Sequence, residues 1–90
     1  MGYEEMRKIN DRLIYASISG FGKTGPNRER AAFDIVAQAT GGLMAANKME
    51  DRPPAVFIGD LVSGAYCAIG ILEALFWREK SGRGQLVDIS

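Results

Sequence analysis

Two apolar runs, with only helical and loop sequence between them, set the tightest limit on how this chain folds. The first, RLIYASI, occupies roughly residues 12–18, and the second, QLVDIS, occupies residues 85–90. The first is rich in β-branched and aromatic residues and apolar on both faces, the pattern of a buried strand. Two strands joined by a long helical connection most simply lie side by side and parallel. Parallel strands want both faces covered, and a sheet of two is too narrow to be stable alone. The expected fold class is therefore α/β: a strand–helix–helix–strand crossover segment of a larger Rossmann-like parallel-sheet domain. Residues 1–90 are read as a single partial domain, with the final strand marking a cut through that domain.

Apolar spacing fills in the rest. Tyr3, Met6 and Ile9 predict a short helix over residues 2–9, ended by Asn10-Asp11. Gly20 to Pro26 is strong loop punctuation. From about Arg28 to Thr40 a helix is expected, with Ala32, Ile35, Val36 and Ala39 on one face. Gly41-Gly42 interrupts it, and Leu43 to Ala46 resumes it. Asn47 to Pro54 is a polar surface loop, and Ala55 to Ile58 a short connector. Asp60 then precedes the best helix in the chain. Its expected buried stripe is Leu61, Ala65, Ile69, Leu72 and Phe76, with Val62 and Leu75 beside it. Arg78 and Lys80 suit its C-terminal dipole, and Ser81-Gly82 supplies the stop.

Composition narrows the function. Lys plus Arg is 11 and Asp plus Glu is 11, so the formal net charge is zero. That removes the basic footprint of a nucleic-acid binder. There is no His, which excludes a His general base or His-ligated metal within this chain. The single Cys, Cys67, cannot form an internal disulfide or a Cys-rich zinc site, and a lone thiol suits a reducing compartment. The charged start, MGYEEMRKIND, lacks the apolar core of a signal peptide. The longest apolar stretch, Ala65 to Trp77, is interrupted by Glu73 and is shorter than the ~20 residues of a membrane helix. A cytoplasmic location without membrane contact is expected.

Three motifs carry candidate chemistry. Gly20-x-Gly22-x-x-Gly25 has dinucleotide-fingerprint spacing, but Pro26 does not fit the helix that should already be running there. The region about 20 residues on, where an acidic ribose ligand should end a strand, reads instead as helix and Gly41-Gly42. Gly22-Lys23-Thr24 resembles the tail of a phosphate loop, yet Ser17 stands where that motif needs Gly. Asp60, in IGDLVSG, reads first as a helix N-cap. The same position suits a nucleophile, because a helix start favours a negative charge and an ionised, well-held carboxylate can attack an acyl group. Gly59 and Gly64 leave room beside it for a large ligand.

The string RLIYASISGFGKTGP (Arg12 to Pro26) closely resembles a signature of the class III coenzyme A transferases, the formyl-CoA transferase and carnitine CoA-transferase type. Three further blocks match in order: AAFDIVAQATGGLM (Ala31 to Met44), PPAVFIGDLVSG (Pro53 to Gly64) and AIGILEALFWREKSGRGQLVDIS (Ala68 to Ser90). The resemblance implies transfer of coenzyme A between an acyl-CoA thioester and a carboxylic acid, through aspartyl anhydride and aspartyl-CoA intermediates. No bound cofactor or metal is implied, since the coenzyme A thioester is the substrate. Asp60 falls at the family's nucleophile. Gly59 and Leu61 line its approach, and Gly20, Phe21, Gly22 and Phe33 shape the acyl-CoA pocket.

The family also contains acyl-CoA racemases, which need a His directly before the Asp of the second block. Phe33 stands there before Asp34, which disfavours that reading. Family members run several times longer and form interlocked dimers. Segments carrying most CoA contacts and a glycine-rich covering loop have no counterpart in these 90 residues. The alternative expectation is therefore a noncatalytic truncated remnant that only folds or self-associates.

Overall fold

The computed structural model describes residues 2–49 and 52–90. Helix α1 (Tyr3–Ile9) leads to strand β1 (Tyr15–Ile18). Two short helices follow, α2 (Asp34–Thr40) and α3 (Leu43–Ala46), then the long helix α4 (Ile58–Ser81) and strand β2 (Leu86–Ile89). The middle of the expected surface loop, residues 50 and 51, lies outside the described residues. The strands pair parallel, with Tyr15 opposite Leu86, Ala16 opposite Val87, Ser17 opposite Asp88 and Ile18 opposite Ile89. Backbone bonds from Tyr15 N–H to Gln85 O and from Ser19 N–H to Ile89 O, both 3.0 Å, lengthen the ladder at each end. This is the parallel pairing the two apolar runs predict.

Local chemistry explains the element ends. In α1, Glu4 and Glu5 lie in the first turn and Arg7 and Lys8 in the last, each complementing the helix dipole. Helix α4 stops where Gly82 enters the left-handed region at φ 74°, and its N–H bonds Arg78 O at 2.9 Å. The α4 C-terminus is then tied to the entry of β1. Arg12 Nη1 donates to Gly82 O, and Arg78 Nη1 donates to Arg12 O, both at 3.3 Å.

The structure corrects two expectations. Residues 28–33 are not helical, and α2 begins only at Asp34. Turn bonds, Arg28 N–H to Gly25 O and Arg30 N–H to Asn27 O, hold the start of this segment. Ala32 is laid against Gly20, where any Cβ would collide with the Ala32 Cβ. That close approach demands an extended path and overrides the helical spacing. No helix follows Gly25 directly, so the dinucleotide fingerprint lacks its architecture as well.

The second correction concerns α4. Of the expected buried stripe, Leu61, Ile69, Leu72 and Phe76 are all at least half exposed, and Ala65 is exposed as well. The face on the sheet is made of small residues: Cys67 and Ala74 are buried with Val87 of β2. Gly70 lies between them, and a Cβ there would stand 2.7 Å from Val87 Cγ1. Small side chains let the helix backbone come close to the strand, and hydropathy alone does not mark such a face.

Helix α4 is also longer than the apolar run suggests. An 18-residue window within it has a mean hydropathy of 1.5, so by length and composition it is able to cross a membrane. In this fold it lies on the two-stranded sheet.

Candidate active site

The site forms where α2 meets the start of α4. Phe57 is the N-cap of α4, so Asp60 is its third helical residue rather than the cap expected from sequence. The capping acceptor comes from another helix. Asp34, the first residue of α2, is 4% exposed, and its Oδ1 accepts the Asp60 N–H at 3.1 Å. This is the bond an N-cap side chain normally makes to the third residue, supplied here across the fold. With its amide held in this way, Asp60 has no need to fold its own side chain back onto the helix.

Asp34 is itself held. Gln38, one turn along α2 and 5% exposed, donates Nε2–H to Asp34 Oδ2 at 2.5 Å. The same nitrogen donates to Val56 O at 2.9 Å, fixing the connector that leads into α4. Gly59 makes the approach possible, since a Cβ there would lie 3.0 Å from Asp34 Oδ1. Burying a carboxylate is unfavourable unless its lone pairs are satisfied. Here one amide, one carboxamide and the positive end of α4 all face it.

Over this junction lies a cleft of about 330 Å³, lined among others by Ser19, Gly20, Phe33, Asp34, Gly59 and Asp60. It sits at the C-terminal ends of both strands, as the lining by Ile18 and Ser90 shows. Asp60 is exposed on the cleft. Among the described residues its carboxylate takes no hydrogen bond or ion pair. Ser63, one turn on, lines the same cleft and donates to Gly59 O at 2.7 Å. Ser19 Oγ is buried and unpartnered among the described residues.

The residues singled out from sequence divide. Asp60, Gly20, Gly59 and Phe33 share the cleft, with Phe33 80% exposed. Phe21 turns aside, its ring 5.4 Å from the Arg30 guanidinium. Gly22 lines a neighbouring hollow with Ser19, Lys23, Arg28 and Glu29. Leu61 borders a separate apolar depression with Ala55, Val56 and Phe57, which Asp60 also touches. Asp34 and Gln38 were not singled out from sequence. Their signal was present: an Asp and a Gln four residues apart, a pairing that bonds on a helix, inside the otherwise apolar run AFDIVAQA.

Comparison with known proteins decides the family. The CoA-transferase family III profile matches residues 1–90, the whole chain. The chain belongs to CoA-transferase family III. It is 44% identical to the succinyl-CoA–D-citramalate CoA-transferase of Chloroflexus aurantiacus, over 99% of this chain and 23% of that protein. It is 46% identical to the acetyl-CoA:oxalate CoA-transferase of Acetobacter aceti, over 98% of this chain and 24% of that protein. A crystal structure of a CAIB/BAIF family protein from Brucella suis superposes with a TM-score of 0.86 at 42% identity. The superposition covers 97% of this chain and 24% of that one. This family III chain thus spans about a quarter of the length of these relatives. It shares the mixed helix-and-strand fold, with its small parallel sheet, of the superposed structure.

Proposed function

We propose that this family III chain is the nucleophile-bearing segment of an enzyme that moves coenzyme A from an acyl-CoA thioester to a free carboxylic acid. The observation that carries the reading is Asp60, exposed in the first turn of α4 where it lines the cleft, its carboxylate without a partner among the described residues. Attack of that carboxylate on the thioester carbonyl forms an aspartyl anhydride and expels CoA thiolate. The thiolate adds to the Asp60 acyl carbon, releasing the donor acid and leaving an aspartyl-CoA thioester. The acceptor carboxylate attacks that thioester, giving a second anhydride and CoA thiolate again. Attack of the thiolate on the acceptor's acyl carbon yields the new acyl-CoA and frees Asp60. The positive end of α4 favours the Asp60 carboxylate whenever it is released as the anion.

Gly20, Gly59 and Phe33 form the walls of the acyl-CoA pocket, whereas Phe21, Gly22 and Leu61 lie outside the cleft. Succinyl-CoA and acetyl-CoA are named among the relatives, as are oxalate and citramalate. A thioester donor and a small carboxylic acid are accordingly proposed here. The surrounding domain is proposed as a Rossmann-like parallel sheet, the assembly as an interlocked dimer, and the location as cytoplasmic. Phe33 supports transfer over racemisation, because it puts no acid or base at that position of the cleft that Asp60 also lines. For the 90 residues alone, the exposed apolar stripe of α4 supports a second reading, association without turnover.

The test is Asp60→Ala in the complete polypeptide that carries these residues. Transfer is expected to vanish while the circular dichroism spectrum is kept, and retained turnover would overturn the assignment. Deuterium exchange at the acyl α-carbon, if observed, would move the reading to racemisation.

A further inference from the structure

We infer that Asp34 is a positioning residue for the nucleophile, and that Asp34 and Gln38 together act as a clamp that aims Asp60. This rests on the reading of Asp60 as nucleophile. The helix end needs an acceptor, but any short polar side chain on a surface supplies one. What stands at position 34 is a buried carboxylate, and its bonds converge on the segment that presents Asp60. Oδ1 takes the Asp60 amide, and Oδ2 takes the Gln38 carboxamide. Gln38 in turn holds Val56 O, one residue before the N-cap of α4. The backbone is thus gripped on both sides of the turn formed by Phe57, Ile58 and Gly59.

Anchoring matters because the Asp60 carboxylate itself has no partner among the described residues. Among the described residues, its direction toward a bound carbonyl is therefore set through its backbone. Reacting groups must be held in close alignment to be productive, and a misplacement of about 1 Å can lower turnover about a hundredfold. Asp34 touches no reacting atom in this scheme, so its loss should lower kcat and spare substrate binding. Gly59 belongs to the same device, as a side chain there would press on Asp34 Oδ1.

The test compares Asp34→Ala, Asp34→Asn, Gly59→Ala and Asp60→Asn in the complete polypeptide, with acetyl-CoA or succinyl-CoA as donor and oxalate as acceptor. Asp34→Ala is expected to lower kcat about ten- to a hundredfold while KM for the thioester stays within about threefold. Hydrogen exchange at the Asp60 amide should accelerate with it. Asp34→Asn keeps an oxygen for that amide and should restore slow exchange and most of kcat. Gly59→Ala should behave like a weaker Asp34→Ala. Wild-type kcat in Asp34→Ala beside a dead Asp60→Asn would overturn the clamp and leave the nucleophile standing. An Asn variant as impaired as Ala, with exchange at Asp60 unchanged, would also overturn it. Should Asp34→Ala fail to fold, the kcat and exchange of Asp34→Asn and Gly59→Ala decide in the same way. Turnover by Asp60→Asn would overturn the proposed function and the clamp with it.

Discussion

Asp60 illustrates how one residue's role depends on another's. Sequence places it at the start of a helix, where an Asp normally serves as the cap. In the fold, Asp34 accepts the Asp60 amide from a second helix, and Asp60 lines the cleft as an exposed residue. The candidate nucleophile was legible in IGDLVSG, but its freedom was not, because that freedom comes from a residue 26 positions away. Glycines carry a similar lesson. Gly20 was read as loop punctuation, whereas its actual demand is steric, since a Cβ would collide with Ala32. Gly20→Ala is expected to destabilise by roughly 1–3 kcal/mol, the usual range for overpacking. Urea denaturation of the complete polypeptide checks this, and an unchanged midpoint would show that Ala32 can move aside.

At the scale of elements, periodicity found α1, the resumption at Leu43–Ala46 and the stop of α4 at Gly82. It failed where close backbone approach took over. Residues 28–33 have helical spacing but pass over Gly20 without forming a helix. The contact face of α4 is the small-residue line Cys67, Gly70 and Ala74, and the large apolar residues point elsewhere. Gly70 gives the sharpest test. Replacing a helical Gly by Ala gains about 1 kcal/mol of helix propensity. The new Cβ, at 2.7 Å from Val87 Cγ1, meets a stiff β-branched side chain. Overpacking of about 1–3 kcal/mol then outweighs the gain. Gly70→Ala is therefore expected to be net destabilising, and Val87→Ala in the same chain should recover part of the loss. A double-mutant cycle with zero coupling would contradict the α4–β2 contact.

The whole molecule is an open structure. Its radius of gyration is 16.1 Å, against about 12 Å for a compact chain of this length. Its accessible surface is 6907 Å², against roughly 5,200 Å² for a compact protein of this mass. Among the described residues the buried apolar set is Cys67, Ala74 and Val87, with Pro54 also buried. An exposed apolar stripe such as that of α4 drives association in water. The 90 residues by themselves are expected to self-associate with rising concentration in sedimentation velocity, and a monodisperse monomer at high concentration would count against this. The sequence did point to a parallel pair of strands, which the fold contains. Nothing in its hydropathy pattern signalled that the long helix would bury its small face and leave the large one open.

The central claim is covalent chemistry at Asp60, and intact mass tests it most directly. The complete polypeptide, incubated with acetyl-CoA or succinyl-CoA and quenched rapidly, should gain a CoA-sized adduct that Asp60→Asn lacks. Peptide mapping should place it within IGDLVSG. An adduct of the same size on the Asn variant, or full transfer activity in that variant, would contradict the account.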